Sequence, residues 1–305
     1  MNTFPAIKKS RSEIIINYQF FPLFAVFFLT TLGCQSSPQS FLRFLHRDAP
    51  RPAEAQLPEN ATVEQIVSVV NANVGRVQSF VTNDATLSGS GLLATLRGEI
   101  AFLRPGNFRL RGSHAVTGAE IDLGKNHELS WFWMQRNEPK AVFYCRNDQC
   151  ASCRFLQNLP IDPSFMIDAM GLGLLEPHLP YKGPFVVDKN HFALHLEELS
   201  PLGEKRTRVI LINRLRGLPA AQRIYNRLDQ LVLDASVKTY TTDPDTGITI
   251  PQSIEIRCPQ LNDGKNVTVG INFGRFFLNT LDASRTDLWK LPTYKGFPPT
   301  DMMKL

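Results

Sequence analysis

The fold of this chain can be read most directly from residues 96–145, LRGEIAFLRPGNFRLRGSHAVTGAEIDLGKNHELSWFWMQRNEPKAVFYC. Short runs of alternating apolar and polar residues are separated by turn residues such as Pro105-Gly106-Asn107 and Gly124-Lys125-Asn126. Such runs, joined by connections of a few residues, are typical of antiparallel strands that follow one another in a meander. From Ala94 to Phe102 every second residue is apolar or glycine. One face of the sheet is therefore predicted to be buried and the other to face solvent.

The chain begins with the pattern of an export signal, residues 1–33. Lys8, Lys9 and Arg11 form a basic start, and residues 14–32 then carry no charge. This order of a basic and an apolar region is typical of secretory signals. The Gly33-Cys34 pair that follows resembles the end of a bacterial lipoprotein signal, which predicts that Cys34 is lipidated and begins the mature chain. An uncleaved signal anchor is the alternative, because the apolar run approaches the length of a membrane span.

Three segments follow the signal. Residues 34–60 are rich in Ser, Pro, Ala and Arg, and are predicted to be a linker that holds a domain off the membrane, since such a composition cannot fold alone. Residues 61–281 carry the strand patterns and form the predicted domain. The Pro-rich residues 282–305 are predicted to be a tail that wraps the surface or is loose. Gln35 stands where lipoproteins retained in the inner membrane usually have Asp, which favours the outer membrane, facing the periplasm.

Two helices are predicted. The first runs from Thr62 to Gln78, where Thr62 and Gln65 form a capping box and the apolar residues lie on one stripe. The second, at residues 164–175, lies between two groups of strands. The strands of the later group are expected at residues 192–196, 208–214, 223–229, 235–241, 249–257 and 266–272. The order helix, meander, helical insert, meander predicts an α+β fold, with the helices covering one face of a curved antiparallel sheet.

Three stretches resemble the LolA/LolB superfamily of periplasmic lipoprotein carriers and receptors. Residues 98–111 are similar to the family's step from a strand through a proline into an Arg-rich strand, and residues 128–133 are similar to its aromatic strand. Residues 249–256 are similar to a later step from a proline into a strand. The resemblance covers the predicted domain. It implies an incomplete, strongly curved β-barrel, closed on its open side by helices, with a hydrophobic cavity for lipid acyl chains.

The wall of the implied cavity is expected to be aromatic and rich in methionine. Such linings suit bulky apolar ligands. The residues that we expect to line it are Phe102, Phe108, Trp131, Trp133, Phe165, Met166 and Met170. The mid-chain helix, which carries the last three, would then serve as a lid. The alternative is that these side chains are packed core, which is the commoner role at strand spacing.

Four cysteines lie in the predicted domain, Cys145, Cys150, Cys153 and Cys258. The first three have a spacing shared with plant-type iron–sulfur proteins. In an exported chain, however, four cysteines favour two disulfides, for which three pairings are possible. A bridge from the 145–153 loop to Cys258 would join the two halves of the sheet. We therefore predict disulfides and no cofactor.

Charge and motifs exclude several function classes. The formal net charge of +5 comes without a Lys/Arg run, so no nucleic-acid partner is expected. His191 and His195 would lie about 13 Å apart along a strand, too far for one metal ion, and no metal site is predicted. No nucleophile elbow or phosphate loop is present, so we predict no enzyme. The leading hypothesis is a non-enzymatic, lipid-anchored periplasmic protein that binds an apolar ligand, a lipid or a lipoprotein acyl chain. The alternative is an envelope structural or sensory lipoprotein that binds a protein partner.

Overall fold

A computed structural model of the chain describes residues 55–90, 92, 94–149, 163–199, 205–260, 265–282 and 284–304. The predicted signal, the lipidation site Cys34, most of the predicted linker, and Cys150 and Cys153 lie outside the described residues. No helix in these described ranges is long and apolar enough to cross a membrane.

One large antiparallel sheet dominates the fold. Its strands are β1 (Ser79–Gly89), β2 (Leu96–Leu103), β3 (Asn107–His114), β4 (Gly118–Lys125), β5 (Leu129–Met134), β6 (Val142–Arg146), β7 (Lys182–Asp188), β8 (His191–Leu199), β9 (Lys205–Asn213), β10 (Leu218–Tyr225), β11 (Leu231–Thr242), β12 (Thr249–Gln260), β13 (Lys265–Phe273), β14 (Phe277–Leu278) and β15 (Pro299–Asp301). The helices are α1 (Val63–Val74) and α2 (Pro163–Ala169), with short 3-10 helices at Thr286–Trp289 and Met302–Lys304.

The strand order joins two meanders into a single sheet. It runs β15-β6-β5-β4-β3-β2-β1-β13-β12-β11-β10-β9-β8-β7, and β14 pairs with β1. The contact between β1 and β13 therefore connects the first meander, β1 to β6, with the second, β7 to β13. In the described part of the chain the two outer strands, β15 and β7, do not pair, so the curved sheet stays open. The predicted α+β class with a curved, open antiparallel sheet is confirmed.

Helix α1 starts where the sequence predicts and ends four residues early. The Thr62 hydroxyl accepts a hydrogen bond from the Gln65 backbone N–H, and Gln65 Oε1 accepts one from the Thr62 N–H, which completes the capping box. Gly75 caps the other end by donating to the Asn71 carbonyl at 2.8 Å. The apolar stripe of α1 packs on β8 and β9. The buried residues of this cluster include Ile66, Val67, Val70, Val74, Phe192, Leu194, Ile210 and Ile212.

Two side-chain amides of α1 form hydrogen bonds with backbone groups of distant segments. Asn71 donates to the Leu175 carbonyl at 2.7 Å and accepts from the Leu175 N–H at 2.9 Å. Asn73 does the same with Thr249, at 2.7 Å and 3.1 Å. Because each amide satisfies one backbone donor and one backbone acceptor, α1 is connected both to the segment after α2 and to the start of β12.

Helix α2 lies on the same face of the sheet as α1, and we call this the helix face. Its buried side chains pack into the largest apolar cluster, which draws on both meanders. The sheet residues of that cluster include Phe80, Ile100, Phe102, Phe108, Leu110, Ile254, Ile256, Ile271 and Phe273. The main core of the protein therefore lies between α2 and the curved sheet.

The C-terminal residues 284–304 pack against the first meander. Trp289 and Phe297 are buried, and Phe297 and Tyr294 join a cluster with Trp133 on the face opposite the helices. The chain then adds β15 as a parallel strand on β6, and Met302 packs with Phe143. The segment predicted to wrap the surface or be loose thus covers an apolar surface and the edge of β6.

Candidate ligand-binding site

Five of the seven predicted cavity residues lie together in the contact between α2 and the sheet. Phe102 and Phe108 are fully buried, and Phe165, Met166 and Met170 are at most 3% exposed. All five belong to the main core cluster, where the α2 side chains fill the space over the sheet. They therefore form packed core in this structure, as the alternative interpretation of the sequence proposed.

Trp131 and Trp133 lie on the other face of the sheet, so their assignment to the same cavity is wrong. In the register of β4 and β5, Phe132 pairs with Leu123, which belongs to the main core, whereas Trp131 and Trp133 pair with Gly124 and Asp122. Successive strand residues point to opposite faces, so the tryptophans point away from α2. The alternation Trp131-Phe132-Trp133 carried this information, because the three rings cannot share one face.

The tryptophan face is organised by a buried carboxylate. Asp122 is 0% exposed and accepts hydrogen bonds from Arg109 Nη2 at 2.7 Å, Trp131 Nε1 at 3.0 Å and the Tyr294 hydroxyl at 2.8 Å. Arg109 also donates to the Leu288 carbonyl at 3.0 Å. A buried charge needs this degree of pairing to be tolerated. The network therefore fastens the C-terminal segment to the sheet.

The electrostatics of this network are those of a structural ion pair. Burial by itself lowers the pKa of the Arg109 guanidinium, but hydrogen bonds and the charge of Asp122, together with Tyr294, raise that pKa above its ordinary value. Burial, followed by the negative charge of Asp122, raises the pKa of the Tyr294 hydroxyl well above its ordinary value. Both groups are held in the protonation state that bonds Asp122, so neither is prepared for proton transfer at neutral pH.

An open apolar cavity lies on the helix face of the first meander, beside the start of β2 and the hairpin between β3 and β4. Its volume is about 130 Å³, and we call it the end cavity. Its lining residues are Leu92, Ala94, Leu96, His114, Thr117, Glu120, Ile121, Met134 and Arg136. Ile121 pairs with both Gly112 of β3 and Met134 of β5, which places these side chains on one face. None of the apolar lining residues is among the seven predicted cavity residues, because their alternation in the sequence is that of ordinary core.

The charges at the mouth of the end cavity are paired with each other. Glu120 accepts a hydrogen bond from the Thr117 hydroxyl and lies 3.7 Å from Arg136. The His114 ring accepts from the Val116 N–H at 3.3 Å, at the tip of the β3–β4 hairpin. An apolar ligand can therefore enter without leaving an unpaired charge behind.

Helix α2 is held on the helix face by polar contacts at both of its ends. Asp168 binds Arg208 Nη1 at 2.7 Å, and Arg208 also reaches Glu198 at 3.3 Å. Burial lowers the pKa of Arg208, but the charges of Asp168 and Glu198 together raise it. Near the start of α2, the Ser164 hydroxyl accepts a hydrogen bond from Lys125 at 2.8 Å. These contacts cross between the two meanders through the helix.

Of the four cysteines of the predicted domain, the structure describes Cys145 and Cys258. Cys258 is a buried free thiol, and burial raises its pKa from 9.0 to about 11. The bridge from the 145–153 loop to Cys258 is therefore not formed, and this part of the prediction is wrong. Cys258 faces the main core, where its neighbours are apolar. Cys145 is fully buried at the end of β6. A bridge among Cys145, Cys150 and Cys153 stays a prediction.

No group of His, Cys, Asp and Glu in the described ranges has the geometry of a metal site. His191 is bonded to Asp188 at 3.0 Å, and the His195 ring lies 4.8 Å from the Phe185 ring. Each histidine therefore has its own neighbour on β7.

Comparisons with known proteins find similarity at the level of structure. No family model matches the sequence. No curated protein matches it either. A DUF1329 family protein from Desulfovibrio piger is 12% identical, over 73% of this chain and 94% of that one, with a TM-score of 0.48. A proposed outer membrane lipoprotein-sorting protein domain from Vibrio parahaemolyticus is 12% identical, over 73% of this chain and 98% of that one, with a TM-score of 0.48. A LolA superfamily protein from Nitrosomonas europaea is 10% identical, over 73% of this chain and 96% of that one, with a TM-score of 0.47.

Proposed function

We propose that this protein is a non-enzymatic, lipid-anchored protein of the bacterial envelope that binds an apolar ligand at the end cavity. The ligand would be a lipid or the acyl chain of a lipoprotein. The observation that supports this is an open cavity with apolar walls from β2, β4 and β5 and a mouth of paired charges. Such a site gains free energy mainly from burying apolar surface. The predicted anchor at Cys34 would hold the domain at the outer membrane, facing the periplasm.

The size of the end cavity limits what enters the structure as it stands. Its volume of about 130 Å³ is close to that of an engineered cavity of roughly 150 Å³ that binds benzene. One apolar group, such as the end of one acyl chain, fits in this volume. A longer chain must occupy the space that Phe165, Met166 and Met170 now fill. In this proposal α2 is the lid, and it is displaced when such a chain binds.

The test uses the full-length chain, extracted in mild detergent and incubated with a photoreactive fatty acid. After illumination, mass spectrometry of the peptides locates the cross-links. We expect cross-links on peptides that contain Ile121 and Met134. Ile121→Trp fills the cavity and should remove these cross-links, whereas Val232→Trp, at an exposed strand position outside the cavity, should leave them in place. Cross-links that are absent, or that are equal in both variants, would contradict the proposal.

A second candidate is an envelope structural or sensory lipoprotein that binds a protein partner on the same fold. The packed core under α2 favours it, because a filled sheet face leaves little room for a bulky lipid. This candidate predicts that the purified chain carries no lipid in native mass spectrometry and takes up no fatty acid. Co-purified lipid, lost in Ile121→Trp, would exclude it in favour of the first.

A further inference from the structure

The outermost strand of the second meander exposes a continuous apolar segment. Phe185, Val186 and Val187 of β7 are 48%, 70% and 55% exposed. The other exposed large apolar residues of the described ranges are scattered and not consecutive. Single exposed apolar residues are ordinary on protein surfaces, whereas a contiguous patch marks an interaction site.

The exposed segment lies on a free sheet edge. β7 pairs with β8 on one side, and within the described residues no strand pairs with its other side. Phe185 pairs with Ala193 and Val186 with Phe192, so the two side chains point to opposite faces of the sheet. A strand added at this edge would cover Phe185 on one face and Val186 on the other, and would also meet the free backbone groups of β7.

The charges at the two ends of β7 favour one particular strand. Lys182, three residues before Phe185, pairs with Glu197 of β8, and Asp188, three residues after Phe185, pairs with His191. Both side chains stay accessible at the edge, at 61% and 53% exposed. If two β7 strands pair antiparallel with Phe185 opposite Phe185, Lys182 of each copy faces Asp188 of the other. A parallel, in-register pair would instead place like charges opposite each other, which is unfavourable. The strand is therefore complementary to itself in the antiparallel direction.

We propose that β7 is a self-association edge, through which two copies of this chain form a symmetric dimer with one continuous sheet. The partner is a second copy because the charge pattern of β7 matches its own reverse. The two edges of the sheet differ, since β15 is a three-residue strand parallel to β6. An isologous contact of β7 with β7 closes as a dimer, whereas a contact of β7 with β15 would build a ring or an open-ended filament.

The dimer is expected to be weak and concentration-dependent. Pro184 has no N–H to donate. The register between β7 and β8 also shifts twice, once before Phe185 and once after Val186, so the backbone of β7 is irregular. Few backbone hydrogen bonds can therefore form across the contact, and the burial of Phe185 and Val186 must supply most of the affinity.

The first experiment is disulfide trapping in the full-length chain in mild detergent. At the two-fold axis, the Cα atoms of opposed residues lie about 4.5–5.5 Å apart in an antiparallel pair, a distance that a disulfide spans. Phe185→Cys should give a cross-linked dimer under a mild oxidant. Val232→Cys, an exposed apolar position on β11, and the unmodified chain should not. Equal cross-linking in all three, or none in Phe185→Cys, would overturn the proposal.

The second experiment tests the charge pairing by analytical ultracentrifugation. Lys182→Asp and Asp188→Lys should each weaken self-association on the order of tenfold, because each change places like charges opposite each other twice. An equimolar mixture of the two variants should restore the dimer, since every pair across the contact is then of opposite charge. A purely structural role of either residue would give no rescue on mixing. A monomer at every concentration, open-ended assemblies, or no rescue would each overturn the proposal.

Discussion

The Tyr294 hydroxyl donates a hydrogen bond of 2.8 Å to Oδ2 of Asp122, and it thereby joins the C-terminal segment to a strand 172 residues earlier. The Tyr294 ring also stacks on Trp133, with 3.6 Å between ring centroids. One residue therefore satisfies a buried carboxylate and covers an apolar surface. The C-terminal segment is part of the folded domain for this reason, and its attachment can be tested directly.

Replacement of Tyr294 by Phe should lower the free energy of unfolding by about 1–2 kcal/mol. The ring and its stacking on Trp133 remain, but Asp122 loses one of its donors in a buried site. Urea unfolding of the full-length chain measures the loss. Tyr225→Phe is the matched control, because Tyr225 is only partly buried and lies outside this network. Equal stability of the two variants would show that the Tyr294 bond contributes nothing.

Gly124 should not tolerate even one added methyl group. A Cβ atom at this position would lie 2.2 Å from Cζ2 of Trp131. The ring cannot move away freely, because its Nε1 is bonded to Asp122. We expect Gly124→Ala to cost about 1–3 kcal/mol in unfolding free energy, as overpacked sites do.

Gly106 provides the control for this overpacking. A Cβ atom at Gly106 would meet no atom within 4 Å, so Gly106→Ala should leave stability within about 0.5 kcal/mol of the parent chain. Both melting curves come from thermal unfolding followed by circular dichroism. A fully stable Gly124→Ala would mean that Trp131 does not cover this glycine.

The Asp168–Arg208 contact should hold α2 on the sheet. Arg208→Met removes the charge partner of Asp168 and Glu198, and we expect a loss of roughly 1–3 kcal/mol, between the values for exposed and buried pairs. If α2 is the lid of the proposed site, the same change should increase labelling by the photoreactive fatty acid. Lys238→Met, which removes a more exposed pair with Glu255, should change neither quantity measurably.

Stability should fall between about pH 9 and pH 11 through Cys258. The folded thiol has its pKa raised from 9.0 to about 11 by burial. In this range the folded state keeps a proton that the unfolded state has lost, so the free energy of unfolding decreases as the pH rises. Cys258→Val should lack this part of the decrease.

The comparison of the two pH profiles isolates the thiol. Buried tyrosines such as Tyr240 and Tyr294, whose pKa values are raised by burial, contribute their own alkaline loss to both chains. The difference between the profiles should therefore appear above about pH 9. Identical profiles from pH 8 to pH 11 would mean that the thiol is accessible to solvent.

The cavity predictions show where reasoning from residue type fails. Phe102, Phe108 and the residues of the mid-chain helix lie together in the packed core, because period-two and helical spacing both report which side chains share a face but not whether the space between them is filled. Trp131 and Trp133 are predicted to line the cavity because they are aromatic, but their alternation with Phe132 along β5 places them on the other face. The end cavity was missed because an unfilled space has no residue type of its own.

Strand β7 is not among the predicted strands, and the reason is a different one. Pro177, Pro180 and Pro184, together with Gly183, mark the segment before Phe185 as a helix end and a loop. The pairing of β7 with β8 depends on two register shifts, which no local pattern announces. The edge of β7 is exposed because β7 is the last strand in the order of the sheet.

Local patterns in the sequence are enough to predict the capped helix α1, the position of α2 between two meanders, and most strands. These follow from periodicity, capping and turn chemistry, which act over a few residues. Local patterns do not predict the pairing of β1 with β13, the attachment of Tyr294 to Asp122, or the free thiol of Cys258, which depend on the complete fold. Those contacts join residues that are far apart in the chain. Their geometry depends on how the whole sheet curves and which side chains it brings together.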